Sequence, residues 1–110
     1  MRRYIVLRDT QDGDGRRQLS AYLQSDGTLL IEGHDMGPGV ARTLGPDITE
    51  YEWAISIPSS GVQRLKLALS CQDDILAAVL NRFSGDASGE LQGFLDKHAG
   101  PYDFWSRAGE

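Results

Sequence analysis

The residues with the clearest capacity for chemistry lie in the stretch EGHDMGPGVARTLG, residues 32–45. It sets Glu32, His34 and Asp35 beside four glycines and one proline. A histidine can serve as a general base or as a metal ligand. A metal site needs three or four ligands, and Glu32, Asp47 or Glu50 could join His34 in one. Adjacent residues on a strand point to opposite faces, so His34 and Asp35 share a site only if the chain turns between them. A loop histidine also commonly hydrogen-bonds nearby backbone and holds the loop's shape, and these residues favour that reading. Glycines widen the choice of backbone angles; they add no reactive group.

Other constellations are weaker. In DTQDGDGRRQLSA, aligning Asp12 and Asp14 on the third and fifth positions of a calcium loop leaves Thr10 at the first and Ala21 at the twelfth. The first position needs an acidic or amide group and the twelfth a bidentate carboxylate, so a turn is the better reading. The glycines of GPGVARTLG lack dinucleotide-binding spacing, since Gly45 falls six residues after Gly39. No Gly-Lys-Ser follows them. Cys71 and His98 could form a nucleophile and base, but nothing in their spacing joins them. Ser56, Ser59 and Ser60 lack a nucleophile-elbow motif. With a single cysteine, neither an intrachain disulfide nor a multi-cysteine zinc site can form. The residue pattern therefore assigns no catalytic residue, no metal and no cofactor, and a non-enzymatic protein is expected.

The elements that must hold these residues are readable from period and punctuation. Tyr4–Arg8 has the β-branched and aromatic character of a strand, and DTQDGDG after it reads as a turn. Residues 17–24 alternate, with Leu19, Ala21 and Leu23 on one face and Ser20, Tyr22 and Gln24 on the other. SDG at 25–27 turns the chain into a return strand, TLLIEG. Residues 33–49 are too rich in Gly and Pro for a helix or a central strand and read as a long loop. EYEWAISIP carries the cleanest alternation, with Tyr51, Trp53, Ile55 and Ile57 on one face.

The pattern then becomes helical. Val62, Leu65, Ala68 and Leu69 stripe a helix over 60–70, with Ser60 and Gln63 at capping-box spacing. Asp73 caps a second helix over 74–84, and Gly85 ends it. Ser88 caps a third over 89–98, stopped by Gly100 and Pro101. Phe104 and Trp105 in the tail are expected to dock on the core as a short fifth strand. Strands followed by helices give an α+β fold. It has an antiparallel sheet of four to five strands, beginning as an N-terminal meander, and about three C-terminal helices packed on one face.

At 110 residues this is one domain, 1–110. The 40% apolar and 25% charged shares are those of a globular chain, not a disordered one. No apolar run is long enough to span a membrane. The apolar run Tyr4–Leu7 is too short for a secretory signal, so a cytoplasmic location is expected. The net charge is −5, and its distribution is uneven. Asp26, Glu32, Asp35, Asp47, Glu50 and Glu52 face Arg42 alone across residues 26–54, while the acids and bases elsewhere cancel. Such a segment repels nucleic acid and favours a basic partner. The basic pairs Arg2–Arg3 and Arg16–Arg17 suit sheet-edge positions that block unwanted pairing.

EGHDMGPGV, EYEW and FWSR together resemble motifs of small bacterial proteins of about this length and of unassigned function. Those proteins resemble immunity proteins in size, charge and architecture: acidic cytoplasmic α+β domains that neutralise a toxin domain. The resemblance implies a binding module with no catalytic residues. The expected contact set for a basic toxin domain is Glu32, His34, Asp35, Asp47, Glu50 and Glu52, with Tyr51 and Trp53 as aromatic anchors. Two alternatives fit the same residues: a small enzyme or metal protein centred on the 33–49 loop, and a homodimer joined through an uncovered sheet face.

Overall fold

The computed structural model describes residues 3–109. Five strands pair in chain order as an antiparallel meander: β1 (Arg3–Asp12), β2 (Gly15–Leu23), β3 (Leu29–Met36), β4 (Glu50–Ile57) and β5 (Asp103–Gly109). A short helix, α1 (Pro38–Leu44), interrupts the path from β3 to β4. Between β4 and β5 run α2 (Ser59–Ala68), α3 (Ile75–Phe83), a 3-10 helix (Gly85–Glu90) and α4 (Leu91–His98). The α+β class, the meander and the helices on one sheet face are as the sequence indicated. None of these helices is long and apolar enough to cross a membrane.

Alternation along the strands decides which side chains the helices cover. From the sheet, Leu7, Leu19, Ala21, Leu29, Ile31, Ile55 and Ile57 are buried. Val62, Leu65, Ile75, Leu76, Val79, Phe83, Leu91, Leu95 and Ala99 meet them from the helical layer. Burying each large aliphatic side chain of this kind contributes roughly 1.5–3 kcal/mol. The intervening strand residues form the opposite sheet face, over which none of the described helices lies.

Residues 33–49 are not the long loop that their composition suggests. β3 runs on through Met36, paired with β2 on one side and β4 on the other. Two physical features make this possible. Gly33 sits mid-strand because the Trp53 indole, directly across on β4, lies over it where a Cβ would be. Gly37, at φ 110°, turns the chain into α1, and Pro38 fills the first helical turn, where its missing N–H costs nothing. The backbone of Gly37 also approaches Gly15 closely, and the Gly39 N–H donates to the Asp14 carbonyl at 2.8 Å. The glycines thus let α1 lie against the β1–β2 hairpin. DTQD is strand as well, so the β1–β2 turn shrinks to Gly13 and Asp14.

The caps shift from their expected places. Pro58 precedes α2 without a side-chain cap, and Ser60 and Gln63 lie inside the helix. Asp74, not Asp73, caps α3: its Oδ1 accepts from the Ala77 N–H, and its Oδ2 accepts from Arg3 at 2.8 Å. Ser88 is buried inside the 3-10 helix and does not begin α4. β5 forms, but Phe104 and Trp105 stay 51% and 52% exposed. Trp105 does not dock because it projects from the sheet face away from the helices, and Phe104, on the helix side, stays exposed because β5 is an edge strand. Arg3 lies on edge strand β1, as expected; Arg16 and Arg17 lie on the interior strand β2, and Arg2 falls outside the described residues.

The Gly33–Trp53 contact yields a sharp expectation. Gly33→Ala forces the indole or the strand to shift and lowers unfolding free energy by about 1–3 kcal/mol in denaturant titration. In the double variant with Trp53→Leu, the combined loss is smaller than the sum of the two single losses. Strict additivity would contradict the contact.

Candidate functional site

The register of the sheet sorts the charged residues. Directly opposed strand residues share a face, and so do residues two apart on one strand. Across the uncovered face, one row reads Gln18, His34, Glu52 and Arg107, and the next reads Ser20, Glu32, Ala54 and Trp105. Glu50 stands beside Glu52 on this face, opposite Met36. Four of the expected contact residues therefore gather here: Glu32, His34, Glu50 and Glu52.

The other four do not join them. Asp35, Tyr51 and Trp53 project from the helix-covered face, and Asp47 is an exposed residue in the connection between α1 and β4. His34 and Asp35 consequently diverge, because the chain stays extended through both. Among the described residues, the aromatic side chains on the uncovered face are instead Tyr4, Tyr22 and Trp105. Tyr4 and Tyr22 stack at 5.6 Å between ring centroids. Tyr22 was visible beforehand as the outward face of RQLSAYLQ; Trp105 was not, because assigning its face requires the β4–β5 register.

A shallow hollow of about 430 Å³ occupies the middle of the uncovered face, lined in part by Gln18, Ser20, Tyr22, Glu32, His34, Glu52 and Trp105. At its acidic end, His34 Nε2 lies 3.6 Å from Glu52 Oε1 and 3.9 Å from Glu50 Oε1. The side chains of His34, Glu50 and Glu52 are each about one-third exposed. Nε2 itself is shielded from solvent and has no hydrogen-bond partner among the described residues. One donor atom from each of the three residues falls within 4.8 Å of the others. Two carboxylates and an imidazole so placed can attract a guanidinium or ammonium group, or hold a divalent cation.

The remaining candidates have structural surroundings. His98 packs on the Phe94 ring, 4.5 Å between centroids, in the last turn of α4. Cys71 lies in the turn between α2 and α3. Asp12 accepts from the Asp14 N–H within the β1–β2 turn, and Asp14 pairs with Arg42 of α1. These carboxylates close a turn and tether a helix.

A second hollow, of about 330 Å³, lies on the opposite face beneath α1. Asp35 stands in it beside Arg17, Tyr51 and Val40. Burial pushes the Asp35 carboxyl above its ordinary value, although the positive charges of Arg17 and Arg8 pull it down.

No family model, curated protein or solved structure matches this chain.

The raised Asp35 value gives a pH dependence with a definite sign. The folded chain holds this proton more tightly than the unfolded chain does, so Asp35 opposes folding at neutral pH. That penalty disappears once pH falls below the unfolded value of about 4. Asp35→Asn should therefore melt higher than the parent chain at neutral pH, with the difference closing as the solution is acidified. A lower melting temperature for the variant at neutral pH would mean that attraction to Arg17 and Arg8 outweighs desolvation.

Proposed function

We propose that this chain is a non-enzymatic protein-binding module that docks a basic protein on the uncovered face of its sheet. In its most concrete form it is an immunity-type protein that neutralises a basic toxin domain in the cytoplasm. The observation carrying this reading is the uncovered face itself. It gathers Glu32, Glu52 and, at the start of β4, Glu50 on one side of the sheet and sets exposed aromatics, Tyr4 and Trp105, on its edge strands.

Size, charge and composition support it. Five strands about 4.8 Å apart and about 25 Å long give a face on the order of 20 by 25 Å, enough for the smaller specific interfaces. Aromatic side chains at its border supply large rigid contact area, and its glutamates steer a cationic partner and reject an acidic one. The resemblance of EGHDMGPGV, EYEW and FWSR to small acidic bacterial proteins points the same way. Self-association through this face is disfavoured, because two copies laid face to face would oppose their glutamates.

The immobilised chain should retain a stoichiometric basic protein from lysate of its source cells and release it in a salt gradient. Glu50→Lys with Glu52→Lys should weaken the purified pair by about a hundredfold or more, chiefly through slower association. Glu90→Lys, at the far end of the 3-10 helix, should leave affinity unchanged. Equal retention by the double-reversal variant, or an empty column, would overturn the proposal.

A further inference from the structure

We propose that His34, Glu50 and Glu52 form a binding site for a single divalent zinc-class cation, with His34 Nε2 and one carboxylate oxygen from each glutamate as ligands. The inference concerns the free chain and does not depend on the partner proposed above.

The site is built by strands, not loops. His34 and Glu52 oppose each other in the β3–β4 ladder, and Glu50 is two residues from Glu52 on the same side. Both backbones are pinned on each edge, β3 by β2 and β4 by β5, so the three side chains start from fixed positions.

The spacing suits a metal better than it suits the bare residues. Ligands about 2.1 Å from a tetrahedral zinc lie roughly 3.4 Å from one another. The Nε2–Oε1 separations are 3.6 and 3.9 Å, within a few tenths of an ångström of that value, and all three donor atoms lie within 4.8 Å of one another, so rotamer adjustments draw them onto one ion. Those same distances are too long for direct hydrogen bonds. Nε2 is thus a polar atom shielded from solvent, without a hydrogen-bond partner among the described residues, and facing two carboxylates. Leaving such an atom unsatisfied is costly. A cation between the three groups satisfies the nitrogen and removes the repulsion between neighbouring carboxylates.

The donor set selects the ion. One imidazole and two carboxylates suit zinc and its first-row neighbours, whereas magnesium and calcium favour all-oxygen shells. Three protein ligands leave at least one coordination position open toward the hollow, where water can fill it. Arg107 stands opposite Glu52 in the β4–β5 register, so a cation bound here sits beside a positive charge on the neighbouring strand.

The test is calorimetric titration of the untagged full-length chain with zinc chloride alone at neutral pH. One equivalent should bind. His34→Ala and the near-isosteric Glu52→Gln should each weaken binding about tenfold or more. His98→Ala, which removes the other histidine, should leave it unchanged, and magnesium should bind far more weakly. Circular dichroism of each variant separates a lost ligand from a lost fold; Glu52→Gln, partly exposed and isosteric, keeps the test valid if His34→Ala unfolds. Absence of stoichiometric zinc, survival of binding in folded His34→Ala or Glu52→Gln, or its loss in folded His98→Ala would each overturn the site.

Discussion

The period of two along an antiparallel strand is the constraint on which this structure rests. Every strand residue belongs to one sheet face or the other, and the helices cover only one of them. Ile31, Ile55 and Ile57 must then point toward α2, α3 and α4, where all three are fully buried. Their neighbours Glu32, Ala54 and Ser56 are committed to the other side by the same pleat. A slip of one residue anywhere in the β3–β4 ladder would carry glutamates into the core and isoleucines into water. The acidic face is therefore a geometric consequence of forming the core, and its layout is as firmly specified as the core's.

Within that frame, glycine acts through close approach more than through flexibility. Gly33 leaves room for the Trp53 indole and keeps β3 regular where any larger residue would bend it. Gly37 and Gly15 bring two backbones together, so that α1 can be tied to the β1–β2 hairpin by the Gly39–Asp14 hydrogen bond. With β3 held straight through Met36, His34 and Asp35 separate cleanly: one enters the acidic cluster, the other the hollow beneath α1. The residues that look most like a catalytic pair in the sequence are thus assigned to different surfaces by the strand that carries them.

Much of this was legible beforehand, and the exceptions have identifiable causes. The alternation in EYEWAISI and RQLSAYL placed β4 and β2 because apolar burial dominates those segments. The stripe Leu76–Val79–Leu80–Phe83 placed α3 for the same reason, although Leu80 stays 38% exposed and Ile75 joins the buried side instead. β1 and β3 ran longer than expected because DTQD and HDM have no strand character of their own; pairing with a neighbouring strand holds them extended. α1 was hidden because Gly-Pro-Gly opposes helix on intrinsic propensity, and the contacts that favour it come from a hairpin more than twenty residues earlier. The site was half legible. Charge counting found the acidic segment, but the division of Glu32, His34, Glu50 and Glu52 from Asp35, Tyr51 and Trp53 requires strand register across β2 to β5. Trp105 joins the face only through that register, and Phe104, on the other side of β5, stays exposed because the helical layer does not cover that edge of the sheet.

The two tryptophans allow the central claim, that one sheet face is covered and the other bare, to be tested directly. Trp53 lies against the core on the helix side, and Trp105 is 52% exposed on the acidic side. Acrylamide quenching of the single-tryptophan variants Trp105→Phe and Trp53→Phe reads each face separately. This account predicts a blue-shifted, protected emission from Trp53. It predicts a red-shifted, readily quenched emission from Trp105 that does not change with protein concentration. A Trp105 signal as protected as that of Trp53, or one that becomes protected as the chain is concentrated, would show that the face is covered and would contradict the account.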